Sequence, residues 1–187
     1  EYDTFDKLYE AIKAGTVSCG TAGLGSTGYT NLCILASLDE AFNPASGAYK
    51  HIAYSGGAAA ITAVISGEVD FTPQLSNEMI DYLRSGDMVA LAALTEEDLV
   101  LDGVDYTIPS LKNFIPEAES VLPCGDAFGL LFPSDVPEEA KTVLEASYLK
   151  ACGSDAAKTF ATEKGVMLTA YNLEESNALK DTAAHDA

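Results

Sequence analysis

The chain of 187 residues has few basic residues, few histidines and no long apolar run. Ten lysines and arginines stand against 29 aspartates and glutamates, which gives a formal net charge of −19. Because Lys and Arg bind phosphate backbones and anionic lipids, this balance argues against a nucleic-acid or membrane-surface partner. The longest run without a polar residue or glycine is seven residues, 88–94, whereas a membrane-spanning helix needs about 20.

The four cysteines form no C-x-x-C pair, and the chain has only two histidines. Structural zinc sites draw on closely spaced Cys and His pairs, so the sequence predicts no metal site. Cys19, in an apolar strand-like stretch, and Cys33, on the apolar face of a helix, are expected to be buried free thiols. Cys124 and Cys152 lie near element ends, and whether they pair stays open.

Strand and helix signals alternate through the first hundred residues. Apolar and β-branched stretches predict four strands, at residues 16–19, 49–54, 69–72 and 88–94. An amphipathic helix precedes the first strand, with Asp3 or Thr4 as its cap and Phe5, Leu8, Tyr9 and Ile12 on one face. One helix follows each of the first three strands. This order predicts an α/β fold with a mostly parallel sheet flanked by helices. The acidic connection at residues 95–108 is predicted to be a solvated loop.

The pattern changes near residue 123, where a Pro-Cys-Gly sequence interrupts it. An apolar strand is predicted at residues 127–132, followed by three helices. Each helix start carries capping residues. They are Asp135 with Glu138, Ser154 or Asp155, and Asn172 with Glu175. This part is too short for a complete hydrophobic core of its own.

A glycine-rich turn at residues 23–28 matches the G-x-G-x-x-G pattern between a strand and a helix. This is the context of a dinucleotide-binding fingerprint. Such a site also needs an Asp or Glu at the end of the next strand, to hold the ribose hydroxyls. That strand ends in Ala53-Tyr54-Ser55-Gly56 and has no acid there, which argues against a dinucleotide.

Two glycine turns, at residues 21–26 and 54–58, each lead from a strand into a helix start. Helix starts expose unpaired N–H groups and the positive end of the helix dipole, and so bind anions without Lys or Arg. In a parallel sheet both turns lie at the same edge. The alternative is that they only permit tight connections. The candidate ligand-binding residues are Thr21, Ala22, Gly23, Gly25, Ser26, Tyr54, Ser55, Gly56, Gly57 and Ala58.

No catalytic residue can be identified. The sequence has no recognisable Ser-His-Asp or Cys-His set, and Ser26 is not in a G-x-S-x-G turn. His51 lies inside a predicted strand and is expected to have a structural role. Carboxylates are numerous, but they lie in polar runs and not next to the glycine turns in sequence. We therefore expect a binding protein and not an enzyme.

Six segments in this order resemble the solute receptors of tripartite tricarboxylate transporters, the Bug receptors. They are residues 18–26 (SCGTAGLGS), 51–60 (HIAYSGGAAA), 65–70 (ISGEVD), 89–92 (VALA), 108–111 (IPSL) and 128–133 (FGLLFP). The resemblance covers nearly the whole chain. It implies a type II periplasmic-binding-protein fold, whose ligand cleft holds a small carboxylate largely through backbone amides at strand-to-helix turns.

The resemblance also implies a domain organisation. Residues 1–122 resemble the inserted ligand-binding domain of the family, and residues 123–187 resemble the returning strand and C-terminal helices of an incomplete first domain. The family's N-terminal segment has no counterpart here, so we expect the isolated chain to bind carboxylates weakly or not at all. An incomplete domain would also expose an apolar face that favours self-association.

The function implied is that of an extracytoplasmic receptor that delivers a small organic carboxylate, such as a di- or tricarboxylate, to membrane permease subunits. Neither a cofactor nor nucleic acid is expected. One alternative is an effector-sensing domain of a regulator with the same fold. Another is an enzyme that uses the glycine-rich turn to bind a nucleotide.

Overall fold

The chain forms two compact units in a computed structural model that describes residues 2–126 and 128–185. Unit 1 is Glu1–Ala127 and unit 2 is Phe128–Ala187. The roles expected for residues 1–122 and 123–187, an inserted domain and a returning segment, stay a prediction.

Unit 1 begins with helix α1, Phe5–Lys13. The Thr4 side chain caps it by accepting a hydrogen bond from a backbone N–H of the first turn, and Phe5, Leu8 and Ile12 are buried on one face. The predicted cap and apolar stripe are both confirmed.

The regular sheet pairs strand β1, Ser18–Thr21, with strand β2, Lys50–Ala53. The strands are parallel and in direct register, from Ser18 opposite Lys50 to Thr21 opposite Ala53. Both therefore end at the same edge, as the alternating pattern predicted.

The third predicted strand, at residues 69–72, makes only one parallel bridge, between Cys19 and Phe71. Backbone hydrogen bonds join this segment to β1, since the Phe71 N–H donates to the Ser18 carbonyl at 3.2 Å and the Gly20 N–H donates to the Phe71 carbonyl at 3.0 Å. The Asp70 carboxylate accepts hydrogen bonds from the Ser18 backbone N–H at 2.8 Å and from the Ser18 hydroxyl at 2.7 Å. The Asp70 side chain thus adds to the backbone hydrogen bonds that hold the segment beside β1, where it forms a single bridge and no regular strand.

The prediction of a fourth strand at residues 88–94 is wrong, since only Ala93 makes a bridge, with Ser110. The backbone groups of this stretch are paired with several different segments. The N–H of Ala90 donates to the Tyr106 hydroxyl at 2.9 Å, and that of Ala93 donates to the Pro109 carbonyl at 2.8 Å. Pro109 has no N–H of its own, so it cannot contribute a donor to a continued ladder.

Three further α-helices of unit 1 are α2 (Thr27–Ala36), α3 (Gly57–Ile65) and α4 (Ser76–Ser85). On α2 the buried residues are Gly28, Asn31, Leu32 and Leu35. Cys33 is exposed, so the prediction that it is buried is wrong. The helix turns Gly28 toward the backbone of Pro73, which carries Cys33 outward. Cys19 is fully buried, as predicted.

Unit 1 has two apolar clusters among its described residues. The larger joins α1, β1 and α2 to the turns at Leu111–Asn113 and Pro116–Ser120. The smaller packs α4 against the connection at residues 95–108. That connection was predicted to be a solvated loop. Its acidic side chains are exposed, but Leu101, Val104 and Ile108 are buried between them.

Unit 2 contains helices α5 (Glu138–Cys152), α6 (Asp155–Lys164) and α7 (Leu173–His185). Ser154 caps α6, and Asn172 and Glu175 form a reciprocal capping box at the start of α7. Both predictions are confirmed. The capping box of Asp135 with Glu138 is wrong, because α5 begins only after Pro137, which restricts the residue before it to an extended conformation.

The apolar strand predicted at residues 127–132 is not observed. Ala127 lies outside the described residues, and residues 128–132 form no strand. A strand needs a neighbour for its backbone hydrogen bonds, and the described part of unit 2 contains none. Phe128 and Leu131 are 79% and 96% exposed.

Candidate functional site

The two glycine turns lie side by side at the edge where β1 and β2 end. The last residues of the strands, Thr21 and Ala53, are opposite each other. The N–H of Tyr54 donates to the Thr21 carbonyl at 2.8 Å, and a Cβ at Gly23 would lie 3.5 Å from the Tyr54 carbonyl oxygen. The structure therefore brings together the two sets of candidate residues that the sequence predicted.

The first turn depends on glycine at two positions. Gly23 and Gly25 have φ angles of 126° and 79°, which L side chains rarely adopt. Between them, Leu24 is 75% exposed. Ser26 then caps α2, since its hydroxyl accepts a hydrogen bond from the Tyr29 N–H at 3.4 Å. The start of α2 is thus capped by a residue of the first turn itself.

The second turn leaves its helix start uncapped. Gly56 occupies the N-cap position of α3 and has no side chain to accept a hydrogen bond. The first N–H groups of a helix have no partner within it, so those of α3 can bind an acceptor from outside. Ser55 and Ala58 are exposed, whereas Gly57 is buried.

Tyr54 contributes its backbone to this edge, since its side chain is engaged elsewhere. The hydroxyl donates to Glu68 Oε1 at 2.9 Å, just beyond the end of α3. The ring lies against Gly20, where a Cβ would be 3.0 Å from Tyr54 Cε2. The tyrosine side chain is therefore a packing element of unit 1.

Thr21 is fully buried, and its hydroxyl oxygen lies 2.9 Å from His51 Nε2. The His51 ring also contacts Tyr29, with ring centroids 5.3 Å apart. Burial lowers the pKa of His51, because it disfavours the charged imidazolium. These contacts agree with the structural role predicted for His51.

Two carboxylates lie at the helix starts, although the sequence analysis placed none next to the glycine turns. A Cβ at Gly57 would overlap the carboxylate of Glu78, which comes from the first turn of α4. Asp126 accepts a hydrogen bond from the Thr27 hydroxyl at 2.8 Å. Glu78 and Asp126 are distant in sequence from the turns they reach, so no local pattern could reveal them.

Gln74 is a further residue that the sequence analysis missed. Its amide nitrogen Nε2 is buried and has no hydrogen-bond partner. A buried polar group without a partner is rare and costly. Gln74 follows Pro73, whose carbonyl oxygen contacts Gly28 at the start of α2, and it precedes Glu78, which reaches Gly57 at the start of α3. It therefore lies on the segment that connects the two helix starts.

Other kinds of site find no support in the part of the chain that the structure describes. No group of three or more His, Cys, Asp or Glu side chains could hold a metal ion within residues 2–126 and 128–185. All four cysteines are free thiols. Within the same residues, no helix is both long enough and apolar enough to cross a bilayer.

Comparison with known proteins identifies the fold. No family model matches the chain, and no curated protein matches it. A crystal structure of a TctC solute binding protein from Polaromonas, solved without a ligand, is similar, with a TM-score of 0.71 and 20% sequence identity. The alignment covers 99% of this chain and 59% of that chain. At this identity the likeness establishes the fold, which is the α/β fold that the resemblance implied.

Proposed function

We propose that this chain is the anion-binding part of an extracytoplasmic solute receptor for a tripartite tricarboxylate-type transporter. It would capture a small organic carboxylate at the turns of residues 21–26 and 54–58 and deliver it to membrane permease subunits. The observation that carries this proposal is the adjacency of the two turns at one sheet edge, with the start of α3 uncapped. The fold shared with a TctC solute binding protein supports it.

Main-chain donors, and not basic side chains, would hold the carboxylate. None of the chain's ten basic residues lies within residues 21–28, 54–58 or 72–78. Lys50 begins β2, at the opposite end of the strand from the turn. Arg84 Nε donates to the Asp102 carbonyl at 2.8 Å, near the end of α4. Helix starts bind carboxylates through their N–H groups and dipole, which suits a protein with a net charge of −19.

An effector-sensing domain of a regulator would use the same fold and the same turns. It would differ from a transport receptor only in the other domains of the protein to which it is joined. A nucleotide-binding enzyme is less compatible with the site. A di- or triphosphate carries several negative charges, and it would meet the carboxylates of Glu78 and Asp126 at the two helix starts.

The proposal is tested by calorimetric titration with a panel of small carboxylates. The titration uses the protein as its gene encodes it. We expect at least one carboxylate to bind with micromolar affinity or better, and NAD and ATP not to bind. Binding of NAD or ATP without binding of any carboxylate would overturn the proposal in favour of the enzyme.

A further inference from the structure

Three polar groups beside the first glycine turn are linked through one hydroxyl. The oxygen of the buried Thr21 hydroxyl lies 2.9 Å from His51 Nε2 and 3.5 Å from the Gly23 carbonyl oxygen. A hydroxyl has one hydrogen to donate, so Thr21 can donate to His51 or to Gly23 but not to both. The direction of this hydrogen therefore depends on whether His51 Nε2 can accept it.

The two distances favour His51 as the acceptor when its ring is neutral. A separation of 2.9 Å is an ordinary hydrogen-bond length, whereas 3.5 Å is at the outer limit. A neutral imidazole has one acceptor nitrogen, and Nε2 in that form accepts from the Thr21 hydroxyl. The Gly23 carbonyl then relies on the Ser26 N–H, which donates to it at 3.2 Å and closes the turn.

Protonation of His51 reverses this arrangement. Both ring nitrogens of an imidazolium are donors, so Nε2 donates to the Thr21 oxygen and no longer accepts. The hydroxyl hydrogen is then free to turn toward the Gly23 carbonyl. The ring is half-buried, so solvent can supply the proton. A second donor to the carbonyl that closes the turn holds the turn more rigidly.

The strands give His51 uncharged neighbours. Cys19 is directly opposite it on β1, and Tyr49 lies two residues before it on the same face of β2. Burial raises the pKa of both groups, so both are neutral between pH 5 and pH 8. Lys50 alternates to the other face, and Asp70 bonds the first residue of β1, whose side chain is also on that other face.

Helix α2 packs against His51 with uncharged residues as well. The Tyr29 ring contacts the imidazole, with centroids 5.3 Å apart, and Cys33 is the other titratable group of the helix. Neither α2 nor α3 contains Asp, Glu, Lys or Arg. The carboxylate of Asp126 approaches α2 at Thr27. A proton on His51 is therefore added among neutral side chains, next to the Thr21 hydroxyl.

We infer that His51 is a positioning residue, which sets the first glycine turn through Thr21 and couples solute binding to its own protonation. The inference rests on the proposed function and adds a regulation of that site. A turn that is already held rigidly loses less freedom when a ligand binds. The imidazolium also adds a positive charge two hydrogen bonds away from a turn that binds an anion. Both effects make binding tighter at acidic pH.

The coupling works in both directions. Burial lowers the pKa of His51 from the ordinary value of 6.5, so the free protein gains this proton only below that pH. Because binding and protonation are linked, a bound carboxylate should raise the pKa of His51.

The first experiment needs no ligand. In an NMR titration of the protein as its gene encodes it, the Gly23 carbonyl carbon should shift with the same pH midpoint as the His51 ring. The chain has two histidines, so His51→Gln identifies the ring signal. In Thr21→Val, which keeps the shape and lacks the hydroxyl, the ring should titrate without this carbonyl shift. A Gly23 carbonyl that does not titrate in the parent, or titrates equally in Thr21→Val, would overturn the inference.

Calorimetry at pH 7 and pH 5, with the carboxylate of the panel that binds best, measures the effect on affinity. Protonation of the solute affects the parent and the variants alike, so the ratio of the two affinities is compared between proteins. The parent should favour pH 5 at least fivefold more than His51→Gln does. Thr21→Ser keeps the hydroxyl and should retain more of this dependence than Thr21→Val. The matched control is His185→Gln, which removes the other histidine and should behave as the parent.

The outcomes separate the inference from the proposed function. An equal ratio in the parent and in His51→Gln, with carboxylate binding intact, overturns the inference and leaves the proposed function standing. An equal ratio in Thr21→Ser and Thr21→Val overturns the role of Thr21 as the link. If no carboxylate binds at either pH, the proposed function fails and the inference fails with it.

Discussion

Gly28, in the first turn of α2, lies against the backbone of Pro73. A Cβ at this position would overlap the carbonyl oxygen of Pro73, and a backbone atom cannot move aside as a flexible side chain can. We therefore expect Gly28→Ala to reduce the free energy of unfolding by about 1–3 kcal/mol, the range for overpacked sites. Urea denaturation followed by circular dichroism measures the change.

The control for this prediction is Gly125→Ala, because a Cβ at Gly125 would have no atom within 4 Å. It should change the free energy of unfolding by less than about 0.5 kcal/mol, as surface substitutions usually do. Equal effects of the two variants would show that contact with Pro73 is not what requires glycine in α2.

The lowered pKa of His51 should make the free energy of unfolding depend on pH. Burial lowers its pKa in the folded chain from the ordinary value of 6.5, so the folded state binds protons less readily than the unfolded state. The free energy of unfolding should therefore fall as the pH drops from 6.5 through the lowered folded pKa. Denaturation at pH 7 and pH 5 measures this fall, which should be smaller in His51→Gln.

Carboxylates whose pKa is lowered act in a separate pH range. Hydrogen bonds from Tyr9 and from the Ala41 N–H lower the pKa of Asp39, and hydrogen bonds from Ser110 and Asn113 lower that of Asp98. Their contribution is complete above the ordinary value of 3.8 and is lost as the pH falls through the lowered folded value. An equal fall in the parent and in His51→Gln between pH 7 and pH 5 would contradict the role given to His51.

At the scale of single elements, the start of α3 is the sharpest test of the anion site. Gly56 has an extended backbone, with φ 165°, and a Cβ there would meet nothing within 4 Å. An Asp side chain fits, and at this N-cap position it would accept hydrogen bonds from the α3 N–H groups. We expect Gly56→Asp to weaken carboxylate binding at least tenfold, with stability unchanged or higher by a few tenths of a kcal/mol.

Two variants separate charge from shape at this position. Gly56→Asn has the same size without the charge and should weaken binding less than Gly56→Asp does. Gly56→Ala cannot cap the helix and should weaken binding least. Affinity in Gly56→Asp equal to that of the parent would contradict the placement of the ligand at the start of α3.

Local patterns predicted elements well where the deciding contacts are local. The cap at Thr4, the capping box of Asn172 with Glu175 and the glycine turns are all encoded within a few neighbouring residues. The strand predicted at residues 88–94 failed where a distant side chain intervened. The Tyr106 hydroxyl accepts a hydrogen bond from the Ala90 N–H, and this contact has no signal in the sequence.

The candidate site likewise contains some residues that local sequence patterns reveal and others that they do not. Its glycine turns could be found from spacing alone, because a strand, glycines and a helix start follow each other directly. Glu78 and Asp126 could not, since they reach the helix starts only through the packing of segments distant in sequence. The acidic side chains at the candidate site are therefore the ones that sequence reasoning missed.

At the scale of the whole molecule, the two units differ in how much apolar surface they bury. Unit 1 contains two apolar clusters built from fully or nearly fully buried side chains. In unit 2, only Ala161 is buried among the apolar side chains that the structure describes, and Phe160 and Met167 are 59% and 62% exposed. Unit 2 lacks the burial that normally offsets the conformational entropy lost on folding.

We expect residues 1–127, produced alone, to unfold cooperatively, and residues 128–187, produced alone, to show little stable helix. Thermal unfolding followed by circular dichroism at 222 nm measures both. A cooperative transition in the isolated segment 128–187 would contradict this, as would its absence in residues 1–127.

The exposed Leu24 has a practical consequence. The chain contains no tryptophan, so Leu24→Trp would introduce its only indole. Since this position projects into solvent between Gly23 and Gly25, beside the proposed binding edge, the side chain can be enlarged without entering the core. The emission of that single fluorophore would follow solute occupancy directly, free of any background from other indoles.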